Sequence, residues 1–111
     1  MAKPSRIYSR QNIEAIELLA EMIRAGRIER KITTRDMATR AGVSRTLLQR
    51  IEEGDPSCAI GAVFEVAVIA GVPLFETDPG RLQTHRAALR EKLSLLPQHA
   101  RKSKRVIHDD F

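Results

Sequence analysis

The sequence predicts an all-α chain of five helices, followed by a tail with one candidate short strand. Two observations carry this. Apolar residues recur at steps of three and four, as Ile13, Ile16, Ala20 and Ile23 do, which is the spacing of one helix face. Cap and stop residues punctuate the chain at helical intervals: Asn12, Thr33, Ser44 and Asp78 stand as starts, and Gly42, Gly54, Gly71 and Pro97 as ends.

The first helix is expected over residues 12–30, with Asn12 as N-cap and Glu14 and Glu17 in the first turns, where negative charge suits the macrodipole. Gly26 inside it costs about 1 kcal/mol relative to Ala, so a close approach to another helix is expected there. The second helix opens at Thr33, since Thr33-Thr34-Arg35-Asp36 has capping-box spacing with Asp in place of Glu. Its apolar members are Met37, Ala38 and Ala41, and Gly42 supplies a turn residue that accepts a positive φ. The third helix runs from Arg45 to about Glu52 behind a second N-cap, Ser44, with Leu48 and Ile51 turned inward. The fourth, about Ile60 to Ala70, is apolar nearly all round. A helix without a polar face is buried on every side, and so small a domain hardly covers one alone. A subunit interface through Val63, Val66, Ile69, Leu74 and Phe75 is therefore expected. Asp78-Pro79 opens the fifth helix, with Leu82, Leu89, Leu93 and Leu96 on one stripe.

The domain boundaries that follow are a basic arm over 1–11, a folded domain over 12–76, a helix for dimerisation or partner contact over 77–97, and a tail over 98–111. The tail carries a basic cluster (Arg101, Lys102, Lys104, Arg105), then Val106-Ile107, then Asp109-Asp110-Phe111. Either Val106-Ile107 pairs as a strand, or the tail orders only on a partner.

Length and composition narrow the class. A chain of 111 residues fits one domain and not two ordinary ones. With 30% charged and 42% hydrophobic residues it reads as folded rather than disordered. With no Trp and one Tyr the core is aliphatic. The single Cys58 excludes an internal disulfide framework, fits a reducing compartment, and reads as a small buried hydrophobe. Met1 to Gln11 holds no apolar stretch, so no signal peptide is expected, and the protein reads as cytoplasmic. The segment from Ala59 to Phe75 has one charge, Glu65, but two glycines and Pro73 interrupt it, so it reads as a buried helix with its exit turn and not a membrane span. His85, His99 and His108 lack ligand spacing, so no metal is expected. No arrangement suggests an activated nucleophile and no Gly-rich phosphate loop precedes a helix, so neither enzyme nor cofactor is expected.

The charge pattern is more informative than its net value of +5. Residues 24–50 carry eight basic and two acidic side chains, whereas residues 51–80 carry six acidic ones and no Lys or Arg. Positive charge confined to one stretch is a footprint for a polyanion. Within that stretch, two short helices joined by Ala41-Gly42-Val43-Ser44 form a helix-turn-helix arrangement. The N-terminal end of the second helix of such a pair enters the DNA major groove. There Arg45 suits guanine O6 and N7, Gln49 suits adenine N6 and N7, and Thr46 bonds to base or phosphate. The caps Thr33 and Ser44, with unpaired N–H groups behind them, suit phosphate. Leu47 either meets a thymine methyl or packs inward. RNA fits poorly, because the stacking aromatics are missing.

From Ile23 to Gly54 the chain resembles the Xre-type, phage-repressor-like family of DNA-binding domains. The matching residues are Ile23, Arg24, Arg27, Glu29, Arg30, Ile32, Thr33, Met37, Ala38, Ala41-Gly42-Val43-Ser44-Arg45, Leu48 and Arg50-Ile51-Glu52-Glu53-Gly54. The resemblance covers the middle half of the chain. It implies a lambda-repressor-like domain in which Arg45, Thr46 and Arg50 face the groove. Two departures stand out. Thr34 occupies a place where the family usually has Gln, and its shorter side chain suits phosphate. Lys31 stands where Gly commonly ends the first helix.

Beyond that unit, Glu53-Gly54-Asp55-Pro56, the apolar fourth helix, Leu74-Phe75 with Asp78-Pro79, and the basic tail ending Asp109-Asp110-Phe111 look like HipB-type antitoxins. That resemblance implies a homodimer on a palindromic operator of double-stranded DNA, repression of its own operon, and restraint of a HipA-type kinase toxin. The alternative is a phage-like regulator with no toxin partner.

Overall fold

The computed structural model describes residues 7–76 and 78–100. Within them lie five helices: α1 (Arg10–Glu29), α2 (Thr34–Ala41), α3 (Arg45–Glu52), α4 (Ile60–Ala70) and α5 (Pro79–Leu95). The fold is the expected all-α one. Val106-Ile107, the candidate strand, and the basic cluster of the tail fall outside the described residues.

Local chemistry sets most of the boundaries. Ser44 Oγ accepts from the Leu47 N–H at 3.0 Å and Thr33 Oγ1 from the Asp36 N–H at 3.0 Å, each satisfying a donor that the helix leaves unpaired. The α1 start differs from expectation. Ser9, not Asn12, is the N-cap, and its Oγ accepts from the Asn12 N–H at 3.2 Å. Both residue types cap well, and the apolar period extends past neither, so the choice was not legible. Gly42 closes α2 at φ +71 with its N–H directed to the Ala38 and Thr39 carbonyls, which makes the tight turn into α3. Lys31 occupies the left-handed region at φ 58 where α1 ends, the conformation that Gly would take without strain.

The chain divides after Leu74 into two units. In the first, α1 packs on α3 and α4, and α2 packs on α3 and α4. Ile23, Met37, Leu48 and Val66 are its largest fully buried side chains, all aliphatic or thioether as the composition requires. Gly26 serves the close approach expected of it: a Cβ there would overlap the Ala70 carbonyl, so α1 and α4 meet backbone to backbone. Arg27 ties α1 to α3. Its Nε donates to Glu52 Oε2 at 2.7 Å, its Nη2 to Glu52 Oε1 at 3.1 Å, and its Nη1 to the Ile32 carbonyl at 3.0 Å. Both side chains are about nine-tenths buried (11% and 9% exposed), so this is an internal ion pair with planar, two-pronged geometry.

Within the single chain α4 is not buried all round, as expected of a domain too small to cover it alone. Val66, Ala67 and Ala70 are buried, whereas Ile60 and Val68 are 70% and 64% exposed, with Glu65 exposed among them. Val66, expected at a subunit interface, belongs to the unit's own core at 0% exposure and has no surface left for a partner. Val63, Ile69 and Leu74 are half-buried against that core.

The second unit contains α5. Asp78 Oδ1 accepts from the Gly80 N–H at 3.1 Å with Pro79 behind it, as expected of the Asp-Pro start. No α5 residue is buried, and Leu89, Leu93 and the capping Leu96 are exposed. Phe75 is 91% exposed at φ 67, an unusual backbone for a bulky aromatic residue.

Candidate nucleic-acid interface

The start of α3 is where the sequence placed the chemistry. Arg45, Thr46 and Gln49 are exposed, and Leu48 and Ile51 on the opposite side are buried. That division follows from the helical step, which separates residues 45, 46 and 49 from 48 and 51. Leu47 resolves to the inward reading: it is half-buried and packs against the core.

Between α1, α2 and α3 lies an open cleft of about 510 Å³. Thr34 from α2 and Arg45 and Gln49 from α3 line it, with Arg24 from α1 and Glu53 beside them. Leu48 and the Arg27–Glu52 pair close its floor. Three of the expected DNA-contacting residues, Thr34, Arg45 and Gln49, thus share one concavity. Thr33, Ser44 and Thr46 are exposed but do not line it.

The two caps keep a function besides capping. Each hydroxyl oxygen accepts one backbone N–H, and its own proton remains free to donate. Behind each cap the first helical N–H groups have no intrahelical acceptor. With the partial positive charge of a helix start, this suits a phosphate oxygen.

Arg50, expected to face the groove, also holds a loop of its own chain. Its Nε donates to Asp55 Oδ2 at 2.8 Å and its Nη2 to Ser57 Oγ at 2.8 Å. Asp55 Oδ1 accepts in turn from the Ser57 N–H at 2.8 Å and from its hydroxyl at 2.7 Å. These bonds, with the Ser57 N–H first and Arg50 second, hold the Asp55 carboxyl well below its ordinary value, at about 2. The same Asp55 bond raises Arg50 above its ordinary value. Arg50 therefore braces the loop between α3 and α4 with two of its five N–H donors, while its side chain stays 43% exposed. Cys58, expected as a small buried hydrophobe, is half-buried against the core, and that burial pushes its thiol up.

Two features escaped the sequence reading. Gln49 Nε2 donates to Glu53 Oε2 at 3.2 Å, so a carboxylate occupies the amide that was expected to read adenine. The spacing of four on one helix was the available signal. Arg24 lines the cleft; the sequence placed it in the basic stretch read as a polyanion footprint but gave it no role of its own.

Among the described residues no group of three or more His, Cys, Asp or Glu side chains is placed to hold a metal ion. No described helix is long and apolar enough to cross a membrane.

Residues 23–76 match the model of the helix-turn-helix family. The matched segment runs from the middle of α1 through α4 and so contains the cleft, both caps and the turn at Gly42. It supports the resemblance to Xre-type, phage-repressor-like proteins, a class of DNA-binding regulators. A search of curated proteins found no match.

Proposed function

We propose that the chain is a sequence-specific transcriptional repressor that binds a palindromic operator as a homodimer in the cytoplasm. The observation that carries this reading is the exposed start of α3. Arg45 there has no side-chain ion-pair or hydrogen-bond partner among the described residues, while its apolar neighbours pack inward. Arg45 reads guanine, Gln49 adenine once it leaves Glu53, and Thr46 base or phosphate. Thr33, Thr34 and Ser44 hold the backbone on either side.

Dimerisation uses the apolar surface that the first unit leaves open, Ile60 and Val68 of α4 with the half-buried Val63, Ile69 and Leu74. Exposed apolar side chains on α4, with half-buried ones beside them, support a protein contact. Phe75, exposed and held at a positive φ, is the remaining candidate.

In its fuller form the reading is a HipB-type antitoxin that represses its own operon and restrains a HipA-type kinase. The exposed leucines of α5 support a protein partner beyond the DNA. Co-purification of a kinase encoded beside this chain, lost on truncation at Thr77, separates the antitoxin from a phage-like regulator with no toxin partner.

Fluorescence anisotropy with the chain's own upstream DNA tests the core claim. Wild type is expected to bind it in preference to unrelated duplex. Arg45→Ala is expected to lose about 1–3 kcal/mol of that discrimination. Equal weak binding of both proteins to any duplex overturns the reading.

A further inference from the structure

We infer that Arg24, on α1, is a DNA phosphate-binding residue that fixes how the recognition helix sits in the groove. The inference rests on the DNA-binding reading and adds to it a contact from outside the helix-turn-helix.

The arginines of α1 and α3 have four different situations. Arg10 pairs with Glu14 at 3.1 Å on the far end of α1. Arg27 is locked to Glu52, and Arg50 to Asp55 and Ser57. Arg24 and Arg45 line one cleft, are exposed, and have neither an ion-pair nor a hydrogen-bond partner among the described residues. The cleft's two carboxylates do not serve them: Glu52 holds Arg27, and Glu53 accepts from Gln49. Two unpaired guanidinium groups on one concavity repel each other and leave a positive potential that an external anion relieves. Thr34, at the start of α2 on the same cleft, adds a hydroxyl and an unpaired backbone N–H.

The division of labour follows from placement. Base edges are reached by the N-terminal end of the recognition helix, which is Arg45's position. Contacts from flanking elements go to phosphate and set register without carrying sequence information. Arg24 comes from α1, one turn before a residue anchored to α3. Its base is therefore rigid with respect to the recognition helix, and a planar two-pronged guanidinium at that point suits a phosphate.

The test compares wild type, Arg24→Ala and Arg24→Lys on upstream and unrelated duplex across a salt series, with thermal melts as a control. Arg24→Ala is expected to weaken binding to both duplexes by the same factor, on the order of tenfold. It is also expected to flatten the salt dependence by about one phosphate, so that between about 50 and about 200 mM salt it loses about 3.5-fold less affinity than wild type. Arg24→Lys should regain the slope, and all three proteins should melt together because Arg24 has no partner to lose. If wild type binds with steep salt dependence and Arg24→Ala matches it, the inference fails while the DNA reading stands. A change confined to the preferred duplex also overturns it, because Arg24 then reads a base. If wild type shows no salt-dependent binding, the DNA reading itself fails.

Discussion

Arg24 and Arg27 sit one turn apart on α1, and Arg45 and Arg50 share α3, yet the members of each pair do opposite things. Arg27 is about nine-tenths buried and spends three donors on Glu52 and the Ile32 carbonyl. Arg50 spends its donors on the Asp55 turn. Arg24 and Arg45 spend none on any described residue and face a shared cleft. The arginines of these two helices thus include cations that hold the fold and cations left open to a ligand. Charge counting merges them, and only the location of the carboxylates separates them.

The largest expected effect comes from breaking the buried pair. Glu52→Ala leaves Arg27 charged and unpaired in the interior and should cost about 3–5 kcal/mol of stability, read by urea unfolding. Replacing both members, Arg27→Met with Glu52→Leu, should recover most of that, because the desolvation cost of both charges disappears as well. Equal loss in the single and double variants would show that the pair does more than cancel its own charge.

Lys31 tests a third kind of cation, one set by backbone rather than partner. Lys31→Gly should relieve the left-handed strain at φ 58 and raise stability by about 1 kcal/mol. A melting temperature that does not rise would mean that the Lys side chain contributes as much as its backbone costs.

Glu53→Gln sharpens the comparison from the DNA side. It removes a negative charge from the cleft and should tighten DNA binding by about 0.5 kcal/mol, with the gain shrinking as salt rises. Weaker binding would show that Glu53 orients Gln49 for reading a base rather than competing with it.

The smallest effect concerns Asp55. Its carboxyl lies below its ordinary value of 3.8, at about 2, in the folded chain. The unfolded chain therefore takes up the proton first, so this contribution is present above 3.8 and fades as pH falls towards 2. Asp55→Asn should shallow the acid side of the wild-type stability profile; identical profiles would contradict the role given to this turn.

Much of the fold was legible because short side chains announce helix starts. Thr33 and Ser44 each have one acceptor at the right reach, and Gly42 relieves the one sharp turn, so α2, α3 and the connection between them could be read directly. The start of α1 was not, because Ser9 and Asn12 are both competent caps. α4 was hard to read because eight apolar residues hide which face is inside; Glu65 marked the outer face and Val68 follows it there, while Ile60 is exposed as the first residue of the helix. In the site, Thr34 and Arg45 were legible as polar residues at helix starts, and Gln49 as a polar residue one turn further along α3. The commitment of Arg50 depends on a loop carboxylate five residues on, and the role of Arg24 depends on how α1 lies against α3. Those are tertiary facts, which periodicity does not contain.

The central claim is that the unpaired cleft arginines, Arg24 and Arg45, serve DNA while Arg27 and Arg50 serve the fold. Nitrogen-15 NMR of the arginine Nε–H groups during titration with the upstream duplex addresses it residue by residue. The Arg24 and Arg45 signals are expected to shift and sharpen as DNA is added, while those of Arg27 and Arg50 stay in place. Shifts at Arg27 and Arg50 with Arg24 and Arg45 unmoved would contradict the account.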